Sequence, residues 1–259
     1  MQNILLTVSY DGTDFCGWQR QDKSDYGNPV RTVQGEIETA LYKMFSKKIP
    51  LYGSGRTDSG VHAFAQKANF FSPVDSIPQK NYVRALNSFL PRDIRITKAE
   101  YKDENFNSRF SAVSRTYRYF INTSGVMTAR DSRYVWALGK ELDLDLLNQM
   151  CGLLKGEKDF KTFAAAGDAS LSTFRYVKDA FFFRQDEDTA VFQIEANAFL
   201  WKMVRSLTGT LVTLSLRKKT VSDFNRILES RERKNALLTA PPEGLFLYDV
   251  SFEGQRVHI

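Results

Sequence analysis

Hydrophobic residues in this 259-residue chain recur first at a spacing of two, then at helical spacing, and that alternation runs through the sequence twice. Ile4, Leu6, Val8 and Tyr10 alternate with smaller or polar neighbours, the period of a half-buried strand. Val33, Ile37, Ala40, Leu41 and Met44 follow at helical spacing from about Thr32, with Lys47 and Lys48 in the last turn and Pro50 closing the segment. A strand through Phe64, Ala68 and Phe70 comes next. Then comes a helix from near Pro78 to Pro91, with Tyr82, Val83, Leu86 and Phe89 on one side, and a strand at Ile94 and Ile96. The second round opens with Tyr117, Tyr119 and Ile121 on a strand, and with a helical stripe of Leu144, Leu147, Met150, Cys151 and Leu154 ahead of Gly156. Strands near 175–183 and 190–196, a long helix from about Phe199 to Leu216 with Met203, Leu207, Leu211 and Leu214 inward, and a strand from Leu245 to Phe252 complete it. This order predicts an α+β fold with a mainly antiparallel central sheet and helices on one face, dividing near residue 105 into subdomains 1–105 and 106–259. No low-complexity linker lies there, so two similar halves are expected to share the sheet, with a basic cleft between them.

Composition removes several kinds of chemistry. With 42% apolar residues the chain can bury a core, and it shows no basic leader before an apolar run and no apolar stretch of membrane-spanning length. No membrane association is expected, and the cytoplasm is the expected compartment. Cys16 and Cys151 are the only cysteines and stand far apart, which leaves neither a disulfide framework nor a Cys-x-x-Cys metal pair; both are expected as reduced thiols. His62 and His258 cannot build a multi-histidine zinc site, and the signature of zinc base deaminases is missing. No metal or cofactor is implied. A Ser-His-Asp arrangement would lack its G-x-S-x-G elbow, so carboxylate, arginine and tyrosine remain as catalytic tools. The net charge of +6 points toward a polyanion. Cations interleave with aromatics at Arg115-Thr116-Tyr117-Arg118-Tyr119 and Phe174-Arg175-Tyr176, a pattern that suits unpaired bases and a phosphate backbone.

Arg56-Thr57-Asp58-Ser59-Gly60-Val61-His62-Ala63 places one carboxylate between an arginine and a glycine turn, directly after Gly53-Ser54-Gly55. Aspartate beside glycine is common turn chemistry, so a turn-capping role competes with a catalytic one. Burial alone could raise an aspartate by roughly 3 to 5 units and protonate it, whereas a guanidinium within reach lowers it by about 1 to 3 units. A nucleophilic Asp58 therefore needs an arginine. Arg56 shares its strand face if the segment is extended. Arg205, one residue past Met203-Val204 on the late helix, is a lone cation in an inward-facing stretch. The short Gly53-Ser54-Gly55 is not followed by the lysine pair of a P-loop and reads as the hinge that aims Asp58.

The octapeptide resembles the active-site motif of the tRNA pseudouridine synthase A (TruA) family, and the likeness is ordered along the chain. Tyr10-Asp11-Gly12-Thr13, Gly17-Trp18-Gln19 and Thr32-Val33-Gln34 precede the octapeptide. Leu86-Asn87, Leu90-Pro91, Asp93-Ile94, Arg109-Phe110-Ser111-Ala112 and Arg115 to Tyr119 follow it. Phe199-Leu200, Met203-Val204-Arg205, Gly209 and Pro241-Pro242-Glu243-Gly244-Leu245 resemble the family's later landmarks. Lys158-Asp159-Phe160 and Trp201-Lys202 depart from it, because the family often carries histidine before the Asp-Phe pair and before Met-Val-Arg.

The resemblance implies the pseudouridine synthase fold and a cofactor-free isomerase, an intramolecular transferase acting on uridines 38, 39 and 40 of the tRNA anticodon stem-loop. It implies Asp58 as catalytic nucleophile, with Arg205 pairing with it. Tyr117 would stack on the uracil and abstract a proton, Arg56 would hold RNA, and Leu245 would wall the pocket. Whether Asp58 attacks the base, attacks the sugar or promotes a glycal stays open. The partners implied are tRNA and a second copy of the chain as a homodimer, with no DNA. Two rivals stand beside this reading: a non-catalytic tRNA-binding protein on the same scaffold, and a carboxylate-dependent enzyme acting on free nucleosides.

Overall fold

Strand β1 (Gln2–Tyr10) shows how the sequence pattern becomes a core. Ile4, Leu6, Val8 and Tyr10 are buried as their alternation predicts, but Asn3, Leu5 and Thr7 are buried as well. The strand is covered on both faces rather than half-exposed. It lies between β3 (His62–Ser72) and β4 (Ile94–Lys102), antiparallel to each. Its second face is closed by the segment after β4, whose Asp103 and Phe106 carbonyls accept from Asn3 Nδ2 at 2.9 and 2.8 Å. Asn3 Oδ1 accepts in turn from Asn69 Nδ2 at 2.9 Å, so the buried amide is satisfied and its desolvation cost is offset.

This computed structural model describes residues 1–21, 30–255 and 257, so His258 lies outside the described residues. The described residues form two compact units, one within Met1–Ala112 together with Leu247–Glu253, the other Val113–Phe246 together with those described from Gly254 on. In the first, the strand order is β4-β1-β3-β10, where β10 is Leu245–Ser251 and the short β2 (Tyr52–Gly53) pairs with β3. Helix α1 (Val33–Phe45) is capped by Thr32, whose hydroxyl accepts from Gly35 N at 3.3 Å, and it buries Val33, Ile37, Ala40 and Leu41. Helix α2 (Gln79–Phe89) buries Tyr82 and Leu86 and packs beside β4.

The second unit orders its strands β5-β9-β8-β7, all antiparallel: β5 is Ser114–Asn122, β7 Gly156–Asp159, β8 Phe174–Arg184 and β9 Thr189–Ala196. The two-residue β6 (Trp136–Ala137) pairs with β5 in parallel. Helix α3 (Leu144–Gly152) packs on β8 and against α4 (Met203–Leu216) and α5 (Val221–Glu229). The expected α+β class with mainly antiparallel pairing is what the chain adopts.

Two boundaries and the placing of one side chain differ from the sequence reading. Helix α1 ends at Phe45, because Ser46 turns left-handed at φ 54° and donates its N–H to Tyr42 O, which leaves Lys47 and Lys48 beyond the last turn. Helix α4 begins at Met203 rather than near Phe199, because Lys202 sits at φ 59° and interrupts helical backbone. In α2, Phe89 is exposed and does not join Tyr82 and Leu86 in the core.

Gly209, within α4, passes so close to a neighbouring segment that an added Cβ would lie 1.9 Å from the Leu238 carbonyl oxygen. Alanine ordinarily favours a helix interior over glycine by about 1 kcal/mol, yet here Gly209→Ala should destabilise the protein by about 1–3 kcal/mol or more. Chemical denaturation reads the sign. An unchanged or higher midpoint would contradict this contact.

Candidate active site

Asp58 stands half-buried in the turn between β2 and β3, and the backbone of that turn is held from two sides. From the end of β1 and the segment after it, Tyr10 Oη bonds Thr57 Oγ1 at 2.8 Å and Trp18 N donates to Thr57 O at 3.2 Å. Ser59 Oγ and Gly60 N both reach Phe15 O, at 3.0 and 3.3 Å. From β3, the buried Gln66 amide bonds Ser54 Oγ at 2.5 Å and donates to Gly55 O at 3.1 Å. Gly53 is pressed against Trp18, whose Nε1 would lie 2.5 Å from an added Cβ. Gly53-Ser54-Gly55 is therefore a clamped support for the Asp58 turn, where the sequence suggested a hinge.

His62, the seventh residue of the octapeptide, is fully buried. Its Nδ1 accepts from Gly12 N at 2.9 Å while Asp11 Oδ1 lies 3.2 Å away, and one nitrogen cannot accept from the first and donate to the second. The backbone N–H is always a donor, and Asp11 Oδ1 is already engaged by Thr13 N and Oγ1 at 3.0 and 2.6 Å. Nδ1 is thus the acceptor, and His62, at the start of β3, ties that strand to the Gly12 loop. Arg56 is exposed, and among the described residues it forms no ion pair with Asp58.

In the second unit, Tyr117 on β5 retains 8% exposure, and its ring meets Phe199 edge-on with centroids 5.0 Å apart. The sequence named Phe199 only as a landmark; this contact gives it the part of holding the Tyr117 ring. Tyr119, two residues on, is fully buried and donates to Pro241 O at 2.6 Å. Burial, with the Glu243 charge, drives its phenol well above the usual range against the opposing pull of Arg205, so Tyr119 is a core residue that stays protonated. Arg205, half-buried in the first turn of α4, donates Nε to Ala240 O at 2.8 Å, and Ala240 N returns a bond to Arg205 O at 3.0 Å. Leu245 is buried at the start of β10, with its N–H on Pro242 O.

The interleaved cations do not all face outward. Arg115 is buried with Nη1 on Asn197 O at 2.7 Å, Arg118 donates to Gln193 Oε1 at 2.7 Å and lies over the Phe183 ring, and Arg175 bonds Ser172 O at 2.8 Å. Strand pairing recruits these guanidiniums to tie neighbouring segments together, which a linear pattern of cation and aromatic does not reveal.

A sequence model described as tRNA pseudouridine synthase matches residues 6–111 and 150–253. The chain belongs to the tRNA pseudouridine synthase family. Three relatives called tRNA pseudouridine synthase A are similar to it over nearly its whole length. That of Treponema denticola is 49% identical over 97% of this chain and 93% of its own. That of Treponema pallidum (strain Nichols) is 46% identical over 93% and 85%, and that of Brachyspira hyodysenteriae 42% over 98% and 100%. Arg56 and Asp58 fall in the first matched block and Arg205 and Leu245 in the second, whereas Tyr117 lies outside the matched residues, in the gap between the blocks.

Proposed function

We propose that this chain isomerises uridine to pseudouridine in tRNA without a cofactor, with Asp58 as the catalytic nucleophile. The observation that carries the activity is the family match over residues 6–111 and 150–253. In the reaction the N1–C1′ bond of the nucleotide breaks, the uracil turns, and C5 joins C1′ of the same ribose. C5 then loses its proton and N1 gains one, so no mass is gained or lost.

Each residue has a part in this reading. Asp58 acts as the ionised carboxylate, and Arg205, tied to Ala240 O through Nε, supplies the cation that keeps it so. Tyr117 lies along the uracil and takes the C5 proton, with its ring held by Phe199. Leu245 forms an apolar wall, and the exposed Arg56 holds RNA. Uridines inside a stem must be flipped out, at a cost of a few kcal/mol that protein contacts offset. The targets we propose are uridines 38, 39 and 40 of the anticodon stem-loop, and the working form is a cytoplasmic homodimer.

Because phosphate contacts release counterions, tRNA affinity is expected to fall by orders of magnitude between about 50 and 200 mM salt if roughly six or more phosphates are neutralised. A filter-binding titration across salt gives the slope, and a flat response would remove the polyanion surface from the account. The deciding experiment is position-resolved pseudouridine mapping on tRNA from a strain lacking this protein. Loss at 38 to 40 in several tRNAs of different arm sequence is expected. Loss at position 55 with 38 to 40 intact would refute the site assignment.

A further inference from the structure

We propose that Trp201 is an RNA-contact residue that stacks on an unpaired base flanking the target uridine, an inference that rests on the RNA-modifying reading above. Of the three tryptophans, Trp18 is 1% exposed and packs into the Asp58 support, whereas Trp201 stands 47% exposed. A half-exposed indole offers a large apolar surface to solvent, and it is the side chain best suited to take a base on its face.

The position of Trp201 is fixed at both of its backbone ends. Its N–H donates to the Asp168 carboxylate, and its carbonyl accepts from Ala165 N at 2.9 Å. Asp168 also accepts from Ser170 N at 2.8 Å. Burial works against the Asp168 carboxylate, but the bonds from Ser170 and Trp201 outweigh it and hold its pKa below the usual value, so the latch stays ionised at neutral pH. On one side, the Lys202 ammonium lies over the indole, 4.9 Å from the ring centroid. A cation beside an aromatic face is the pairing that surfaces for unpaired nucleic acid use, the ring for a base and the charge for the adjoining phosphate.

Trp201 also stands next to the proposed chemistry. Phe199, whose ring meets Tyr117, is two residues away, at most about 7 Å along the backbone. A base on Trp201 is therefore a near neighbour of the uracil on Tyr117, and the stacking would help keep the flipped nucleotide from returning to its stem.

The test compares wild type, Trp201→Ala and Trp201→Phe in binding an anticodon-arm RNA, and the same RNA made abasic at the nucleotides flanking the target. Trp201→Ala should weaken binding to the intact RNA about tenfold, Trp201→Phe should return it to within about threefold, and on the abasic RNA all three should bind alike. Wild-type tryptophan emission should be quenched as intact RNA saturates the protein, and Trp201→Phe should lose that quenching. Equal affinity of wild type and Trp201→Ala for intact RNA overturns the proposal, as does the same loss persisting on abasic RNA. Should the alanine variant fold poorly, unquenched wild-type emission at saturation overturns it as well. Failure of the wild type to form pseudouridine in any tRNA would instead sink the reading in the previous section.

Discussion

Asp58→Asn is expected to abolish pseudouridine formation while tRNA binding stays near normal. The exchange replaces one carboxylate oxygen with an amide of nearly the same shape, so it removes charge and nucleophilicity and little else. The turn around Asp58 is built from backbone and from other side chains: Val61 N donates to the Asp58 carbonyl at 3.2 Å, and Thr57, Ser59 and Gly60 supply the ties to the preceding segment. The backbone of the turn should therefore keep its form in the variant. Loss of an enzyme nucleophile commonly costs about 10⁴-fold or more in turnover. Single-turnover assays with tRNA in hand, beside a binding titration and a melt, separate the possibilities. Measurable turnover by this variant, with wild-type contamination excluded, would remove Asp58 from the chemistry. A parallel collapse of binding would make it an RNA contact.

Arg205→Ala should remove most activity, by about 10² to 10³-fold if the guanidinium stabilises charge at the reacting centre. A second, smaller effect follows from its geometry. The buried Ala240 carbonyl loses the 2.8 Å bond from Nε, and an unmade buried bond costs about 1–3 kcal/mol, so the melting temperature should fall too. Arg205→Lys is expected to recover little, because an ammonium cannot reach Ala240 through Nε and present a planar fork at the same time. The measurement that decides is the ratio of single-turnover rate loss to affinity loss. Equal losses would make Arg205 a general RNA contact.

Much of the fold was legible because burial follows the periods of strand and helix. β3, β4, β5, β8, β9 and β10 lie where alternation puts them, and α1 to α4 lie under their apolar stripes. What escaped has particular causes. Helix α5 carries a capping box, in which Thr220 and Asp223 bond each other's backbone N–H, and it buries Phe224 and Leu228 four residues apart. That signal was available and was hidden among charged neighbours. The start of α4 was not available, since nothing in the sequence marks Lys202 as left-handed. The double burial of β1 depends on Asn69 and the 103–106 segment, far off in the chain.

For the candidate site, local motifs pointed to Asp58, Arg205 and Tyr117. The sequence did not reveal the partners that hold them, because Phe199 against Tyr117 and Ala240 against Arg205 are pairings made by the fold. Arg115 and Arg118 show the opposite failure. A pattern that looks like a nucleic-acid surface is largely spent on tying β5 to its neighbours.

The last strand has a consequence for the order in which the molecule can be made. Residues Leu247–Glu253 belong to the first unit, where Tyr248 meets Phe64 and Phe252 meets Phe106, yet they leave the ribosome after everything from Val113 to Phe246. The nascent first unit thus has β3 open along the edge that β10 will cover, and contacts so distant in sequence close slowly. The strand that carries the end of the Asp58 octapeptide is made before the whole of the second unit's 113–246 segment and must wait for β10, made after it, to gain its neighbour.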